Sequence, residues 1–584
     1  MQHVTNRAYL DVEASLTGRR WVGPSIDEER AREAMVQATG LPTAVAAVLA
    51  RRGVAPEEAP GFLAPALRDL LPDPLTLRDM AAAAERFIAA VERRERIAVF
   101  ADYDVDGGAS AALLITWLQG MGHDATLYVP DRIDEGYGPN APAMAALSRE
   151  HDLIICVDCG TLSHEALEAA TVDVVVLDHH LGGETLPRAV AVVNPNRQDE
   201  SGDLGHLCAA GVVFLVLVEV NRRLRGKAQT PDLMAMLDLV ALATVADVAP
   251  LVGVNRALVR QGLKVMAARQ RPGLVALADV ARLDAAPSSY TLGFVFGPRV
   301  NAGGRVGKAD LGARLLASRD PHEASALAER LDMLNKERRE IENQVREAAL
   351  DQAAERGLDG PLVWAAGEGW HPGVVGIVAS RLKEATNRPA VVIGLDGGEG
   401  KGSGRSVSGI DLGASIQRLA AEGLLVKGGG HKMAAGLTVA RDQLDAAMAR
   451  LGDLLARQGA DALGPKDLAL DGVLMPGAAN VELIEAIDQA GPFGAAAPAP
   501  RFAFPEVKIA FARRVGESHL KVSFTDGLGA KRDAICFGAY DGPLGPALEA
   551  HGGAPFHLAG RLELNRWQGR SSAQLRLEDA ARAG

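Results

Sequence analysis

A chain of 584 residues is too long for one hydrophobic core, so several domains are expected. Its 48% hydrophobic and 23% charged residues are ordinary for globular protein and exclude a disordered or fibrous class. A formal net charge of −12 argues against a surface that coats nucleic acid generally, although a cleft can focus the opposite field on a polyanion.

The opening stretch, MQHVTNRAYLDVEASLTGRRW, has no apolar core of signal-peptide length, and no later run is long and apolar enough to span a bilayer. A cytoplasmic chain with no membrane contact is therefore expected. Four cysteines are too sparse for a disulfide framework. Cys156 and Cys159 form a C-x-x-C, but LIICVDCG puts Cys156 inside an apolar strand. No second pair completes a zinc site, so structural thiols are expected.

In chain order, residues 1–79 read as an extension whose role the sequence does not disclose. A first domain is expected over 80–320, and from about 80 to 260 apolar strands alternate with helices. RIAVFADYD, ATLYVP, HDLIICVDCG, VDVVVLDHH and AVAVVNP are the strands; GASAALLITWLQGMG, APAMAALSRE and SHEALEAA are helical. That alternation predicts an α/β fold with a parallel sheet covered on both faces. A helix is expected over 321–356, where Leu327, Leu331, Leu334, Ile341 and Val345 recur at helical spacing. At 1.5 Å per residue it would be on the order of 50 Å long, a strut rather than a core element. A second α/β domain is expected over 357–462. Short alternating strands over 466–584 predict a small OB-type β-barrel. From Arg501 onward there are 12 Lys/Arg against 9 Asp/Glu, a local reversal of the overall sign. This region also holds Phe502, Phe504, Phe511, Phe524, Phe537, Tyr540, Phe556 and Trp567. Most should be core, but with basic residues interleaved a platform for single strands is expected.

In doubly wound sheets the ligand crevice lies outside the carboxyl ends of the strands. The polar clusters Asp102/Asp104/Asp106, Asp158 and Asp178/His179/His180 all follow strands. Several carboxylates on one face repel unless a cation joins them. With Asp247 of ATVADVAPL the set is oxygen-rich with one imidazole, which suits Mg²⁺ or Mn²⁺ and tilts toward Mn²⁺. Any one of these acids could simply cap a helix; six together are harder to explain that way. If VVVLDHH stays extended, successive side chains face opposite ways, so His179 and His180 should have different tasks.

The stretches DYDVDG, VDCG, LDHH and ATVADVAPL resemble the four motifs of the DHH phosphoesterase family. WHPGVVGIVASRL, GSGRS and GGGHKMAAG resemble its DHHA1 domain. Together with PDRIDEGYG, GPRVNAGGR and the terminal barrel, the layout is similar to the branch of that family that degrades single-stranded DNA 5′→3′. The resemblance covers roughly residues 80 to 570. It implies two-metal phosphodiester hydrolysis in DNA repair and recombination, with Mn²⁺ or Mg²⁺ held by Asp104, Asp106, Asp158, His179 and Asp247, and Asp158 bridging. His180 would contact the scissile phosphate and Asp178 would orient the histidine pair. Many relatives carry a histidine ligand where Phe100 stands here. Asp102, a poorly aimed substitute, completes the catalytic candidates, and one ion should bind weakly until substrate arrives. The resemblance places the 5′-phosphate on Arg132, Ser403 and Arg405, with Arg299, Arg305 and His431 as further candidates. GGEGKGSGRS does not meet P-loop spacing.

Two rival readings are a small-substrate DHH phosphodiesterase, which the barrel disfavours, and a non-catalytic single-strand-binding scaffold, which the intact ligands disfavour. Single-stranded DNA is the expected partner of a monomeric chain. A single-strand-binding protein and a helicase are candidate protein partners.

Overall fold

The computed structural model describes residues 7–132, 134–567 and 569–583; the Trp567 side chain also lies outside the described part. The described residues divide into two compact units. Leu67–Leu463 with Gly494–Ala496 form one; those up to Ala66, with Gly464–Phe493 and those from Ala497 onward, form the other.

The first unit begins with a five-stranded sheet. Its spatial order is Ala125–Tyr128, Ile97–Ala101, Leu153–Val157, Asp173–Leu177, Ala191–Val193, and every neighbouring pair is parallel. The β-branched runs are buried along their length because helices cover both faces, as in Leu153–Val157. Register then decides where the polar residues land. Ala101 pairs with Val157, Val157 with Leu177 and Leu177 with Val193, so these strands end level. Asp102, Asp158, Asp178 and Asn194 each follow directly, and they stand in one row along the sheet's carboxyl edge.

The helix Pro321–Arg356 starts under an Asp320 cap whose carboxylate accepts the His322 N–H at 2.9 Å. It ends at Gly357, whose φ of 93° favours glycine. It is more than a strut. Leu331 and Leu334 are buried in its first half, and Val345, Ala349 and Ala353 join a core with Val374, Val378 and Leu382. A mixed sheet follows, ordered Lys427–His431, Ala434–Ala440, Glu399–Arg405, Ala390–Asp396, Val363–Glu368; only the last two strands are parallel to each other.

The second unit is a closed barrel. Phe502–Val515, His519–Thr525, Lys531–Cys536, Arg570–Arg582 and Pro555–Trp567 pair in that order, and the last returns to the first. Phe502, Phe504, Phe524 and Phe556 fill it, whereas Phe511 and Phe537 are about half exposed, the latter beneath the Arg576 guanidinium at 5.2 Å. The described residues before 67 are part of this unit. Met35, Val45 and Leu49 share the barrel's core cluster, and Trp21–Val22 pairs in parallel with Leu468–Ala469. The buried Trp21 indole donates to Asp579 at 2.9 Å, and Thr17 donates to the other carboxylate oxygen at 3.0 Å. A fully buried carboxylate is tolerable only with such partners.

Candidate active site

The DYDVDG motif bends from strand into helix immediately after Asp102. Asp104 caps the helix Val105–Gly120, accepting N–H bonds from Asp106 at 2.8 Å and Gly107 at 3.2 Å. Asp106 lies in the first helical turn, and its buried carboxylate accepts from Ala209 and Ala210 at 2.7 and 2.8 Å. The three acids are therefore not side by side on an extended chain, as strand alternation suggested. The bend distributes them between two groups. Asp102, Asp104 and Asp158 converge within 4.8 Å of one another, and so do Asp106, His179 and Asp247. Asp158 and His179 connect the groups, their nearest atoms 3.3 Å apart. Asp102, expected to aim poorly, belongs to the first group and is almost fully buried. Phe100 is fully buried in the apolar core, stacked on Tyr128 with ring centroids 5.2 Å apart.

The electrostatics fit a cation. Asp102 Oδ1, Asp158 Oδ1 and His179 Nε2 are buried without any hydrogen-bond partner, a costly state for polar atoms unless something else binds them. Burial first, then the neighbouring carboxylates, raise the Asp102, Asp106 and Asp158 acids above the ordinary range and push Asp247 up to about 8. Acid groups that resist ionisation together are relieved by a divalent ion, and carboxylates with one imidazole suit Mn²⁺ or Mg²⁺. Asp158 also has a left-handed backbone (φ 59°), uncommon for a residue with a side chain and typical of strained functional positions.

His179 and His180 do not face opposite ways. The strand ends at Leu177, the chain turns, and the two rings lie 4.6 Å apart. They differ instead in what holds them. Asp178 Oδ1 is 2.8 Å from His180 Nδ1 and accepts both histidine N–H groups, while Oδ2 accepts the Thr161 N–H. Burial opposes ionisation of Asp178, yet the bonds from His180 and Thr161 bring its acid below the ordinary range. Burial likewise opposes a charged His180, but Asp178 raises it to about 9. The His180 Nδ1 is thus committed to Asp178. Asn196 and Asn194 hold the His179 and His180 carbonyls at 2.5 and 2.8 Å. The sequence reading missed both asparagines; the only signal was NPNRQ directly after a strand.

A cationic cluster accompanies this centre. The Arg132 guanidinium lies 5.2 Å over the ring of Tyr103, which sits between Asp102 and Asp104. Arg405 donates to Ser403 Oγ at 2.8 Å, and Arg305 donates to the Gly373 carbonyl at 3.1 Å. Burial and then the charge of Arg132 depress both guanidinium groups, Arg305 to about 10, and depress His371 too. His371 caps the helix Pro372–Thr386, accepting the Gly373 N–H at 3.0 Å. That helix packs closely here, since a Cβ on Gly376 would stand 3.0 Å from Arg405 and 3.1 Å from Ser403. Arg299 is not in this cluster, because its guanidinium is committed to Asp332 at 2.9 Å and to the Val295 carbonyl. His431 is exposed on the outermost strand. It is aligned with Arg405 through Ala434, which pairs with both. Between these strands Gly429 and Gly436 lie in the same cross-strand row as Ser403, with nothing within 4 Å of where a Cβ would stand.

A parallel sheet with acids and a histidine pair at its carboxyl edge, joined by a long helix to a second α/β layer, is the arrangement of DHH proteins. Residues 96–244 match the DHH family N-terminal domain, 359–457 the DHHA1 domain and 470–579 the RecJ OB domain. The chain is 39% identical to the single-stranded-DNA-specific exonuclease RecJ of Dickeya dadantii, covering 92% of this chain and 96% of that one. It is 38% identical to the Escherichia coli protein of the same description, over 83% of this chain and 87% of that one. The crystal structure of Thermus thermophilus RecJ in complex with Mn²⁺ superposes with a TM-score of 0.80 at 30% identity, over 96% of this chain and 79% of that one. The chain belongs to the RecJ family of DHH proteins, and it is an exonuclease.

Proposed function

We propose that this exonuclease degrades single-stranded DNA from the 5′ end, releasing 5′-mononucleotides with Mn²⁺ or Mg²⁺ as cofactor, in DNA repair and recombination. The supporting observation is the cationic cluster. Arg132, Arg305 and Arg405 rest on a tyrosine ring, a main-chain carbonyl and a serine hydroxyl rather than on carboxylates, which leaves their charge for an anion. A terminal phosphate is the anion that distinguishes an end from the middle of a strand.

Asp104, Asp106, Asp158, His179 and Asp247 would hold the metal, with Asp102 beside Asp104 and Asp158. Bound divalent cations supply the positive charge that offsets charge developing at phosphorus when water attacks. The protein's own groups do the positioning. Asp178 fixes the His180 ring through Nδ1, and Nε2, 3.2 Å from the Tyr137 hydroxyl, would turn to a phosphate or leaving oxygen. Ser403 keeps Arg405 in one rotamer, and the bare glycine floor beside it admits a nucleotide closely. On the barrel, the half-exposed Phe537 under Arg576 suits the stacking of a base.

The test is digestion of 5′- and 3′-labelled single strands with Mn²⁺. Early release of the 5′ label, lost with chelator and in Asp158→Ala, is expected. Early release of the 3′ label refutes the polarity.

A further inference from the structure

Arg132 lies on the segment joining the strand Ala125–Tyr128 to the helix Ala141–Glu150, and two side chains on that segment tie it down. Glu135 is the inner tie. Its Oε2 accepts the Tyr128 phenol at 2.6 Å and the Asn140 amide at 3.1 Å, and its Oε1 accepts the Asp131 N–H at 2.9 Å. The N–H groups of Glu135 and Gly136 return to the Asp131 carbonyl at 2.9 and 3.0 Å, closing a turn around Arg132. Asn140 also caps the following helix through Ala143, so the turn is fastened to a rigid element. Tyr137 is the outer tie. Its hydroxyl donates to the main-chain carbonyl of Asp158 at 3.0 Å and lies 3.2 Å from both ring nitrogens of His180, and its ring meets Tyr103 edge-on at 6.4 Å. Tyr103 in turn carries the Arg132 guanidinium on its face.

Neither side chain belongs to the groups of acids and histidines that could hold metal, although the Tyr137 hydroxyl touches His180 and the Asp158 main chain. What the two fix is a separation, that between the guanidinium assigned to the terminal phosphate and the residue that joins both acidic groups. We infer that Glu135 and Tyr137 are positioning residues that set the register between the 5′-end grip and the cutting centre, and so determine product length. This rests on the 5′-end reading proposed above. A turn pinned at Tyr128, Asn140 and Asp158 holds Arg132 at one distance from the cut. With one pin lost, the loop samples several positions on the time scale of loop motion, and strands are gripped one or more nucleotides out of register.

The test compares wild type with Tyr137→Phe, which deletes one hydroxyl, and Glu135→Gln, which turns an amide toward groups that donate. Each full-length protein is given 5′-³²P-labelled single strands with Mn²⁺, and the first labelled products are sized. Wild type should release labelled mononucleotide only. Both variants should also release labelled di- and trinucleotides. Their preference for 5′-phosphate over 5′-hydroxyl ends should fall roughly fivefold to tenfold, the scale of one hydrogen bond, with KM rising more than kcat falls. Mononucleotide alone from folded variants, at unchanged end preference, overturns the inference whatever happens to the rate. Melting curves establish folding, and because Tyr137→Phe also removes a contact with His180, Glu135→Gln, whose partners are Tyr128, Asp131 and Asn140, decides. Failure of the underlying reading shows separately, as wild type releasing a 3′ label first.

Discussion

Asp178→Asn isolates the role of a residue that touches neither the metal site's open oxygens nor the proposed phosphate pocket. Oδ1 of Asp178 receives three donors, the N–H of His179 at 2.8 Å, the N–H of His180 at 3.3 Å and the His180 ring at 2.8 Å; Oδ2 receives the Thr161 N–H at 3.1 Å. Asparagine has one carbonyl oxygen. Placed toward the histidines, it leaves its amide facing the Thr161 N–H in a site only 1% exposed. An unsatisfied buried donor costs about 1–3 kcal/mol, and replacing a charge-assisted bond by a neutral one loses about 1 kcal/mol more. Stability should therefore fall by about 2–4 kcal/mol. Loosening of the His180 ring by about 1.4–2 kcal/mol corresponds to a kcat roughly 10- to 30-fold lower. Mn²⁺ retention should be unchanged, since the orphaned atoms belong to other residues. Removing the carboxylate also removes the charge that raises His180 to about 9, so an alkaline limb carried by that ring moves to lower pH. Single-turnover kinetics with 5′-labelled strands and elemental analysis after gel filtration measure both. Wild-type kcat in the variant would show that His180 is oriented by another contact, and would refute the reasoning.

Arg405→Ala should reduce the preference for 5′-phosphate ends by roughly 10-fold or more, the scale of a hydrogen bond to a charged group, whereas Arg299→Ala should lower the melting temperature and leave that preference intact. The opposite pattern would exchange their roles. The first group, Asp102, Asp104 and Asp158, offers carboxylates only, with Phe100 in place of an imidazole, and we therefore expect about one Mn²⁺ retained per DNA-free chain after gel filtration. Two retained ions would show that Asp102, Asp104 and Asp158 suffice. Trp21→Ala should destabilise the barrel unit by about 3–5 kcal/mol, because it opens a cavity and removes a partner from the buried Asp579. An unchanged denaturant midpoint would contradict the packing seen around Trp21.

The parts of this fold that were legible in the sequence are those encoded locally. Val174–Leu177 reads as a buried strand because its side chains are apolar on both faces, and the acids converge because the strands end level. Alternation failed one residue past the strand, where Asp178 turns the chain and both histidines come to the same side. Arg299 read as a phosphate ligand because a lone arginine near a glycine-rich turn gives no sign of Asp332, 33 positions later. Asn194, Asn196, Glu135 and Tyr137 escaped notice for the same reason, since their significance lies in carbonyls and donors that only the folded chain brings near. The starkest case is Trp21, whose partner Asp579 is 558 positions away.

That distance has a consequence for how the molecule is made. The barrel unit is assembled from segments interrupted by Leu67–Leu463, so its early residues must wait, apolar side chains uncovered, until Phe502 and Asp579 have left the ribosome. The unit Leu67–Leu463 is almost contiguous and can complete most of its packing first. Once it has folded, the intervening chain no longer behaves as a long floppy loop, and closing the barrel costs far less entropy than the sequence separation suggests. Order of synthesis and order of stability are therefore linked. A lesion that slows folding of the acidic centre should also leave Met35, Val45 and Leu49 exposed, and the damage would register as aggregation rather than as lost catalysis.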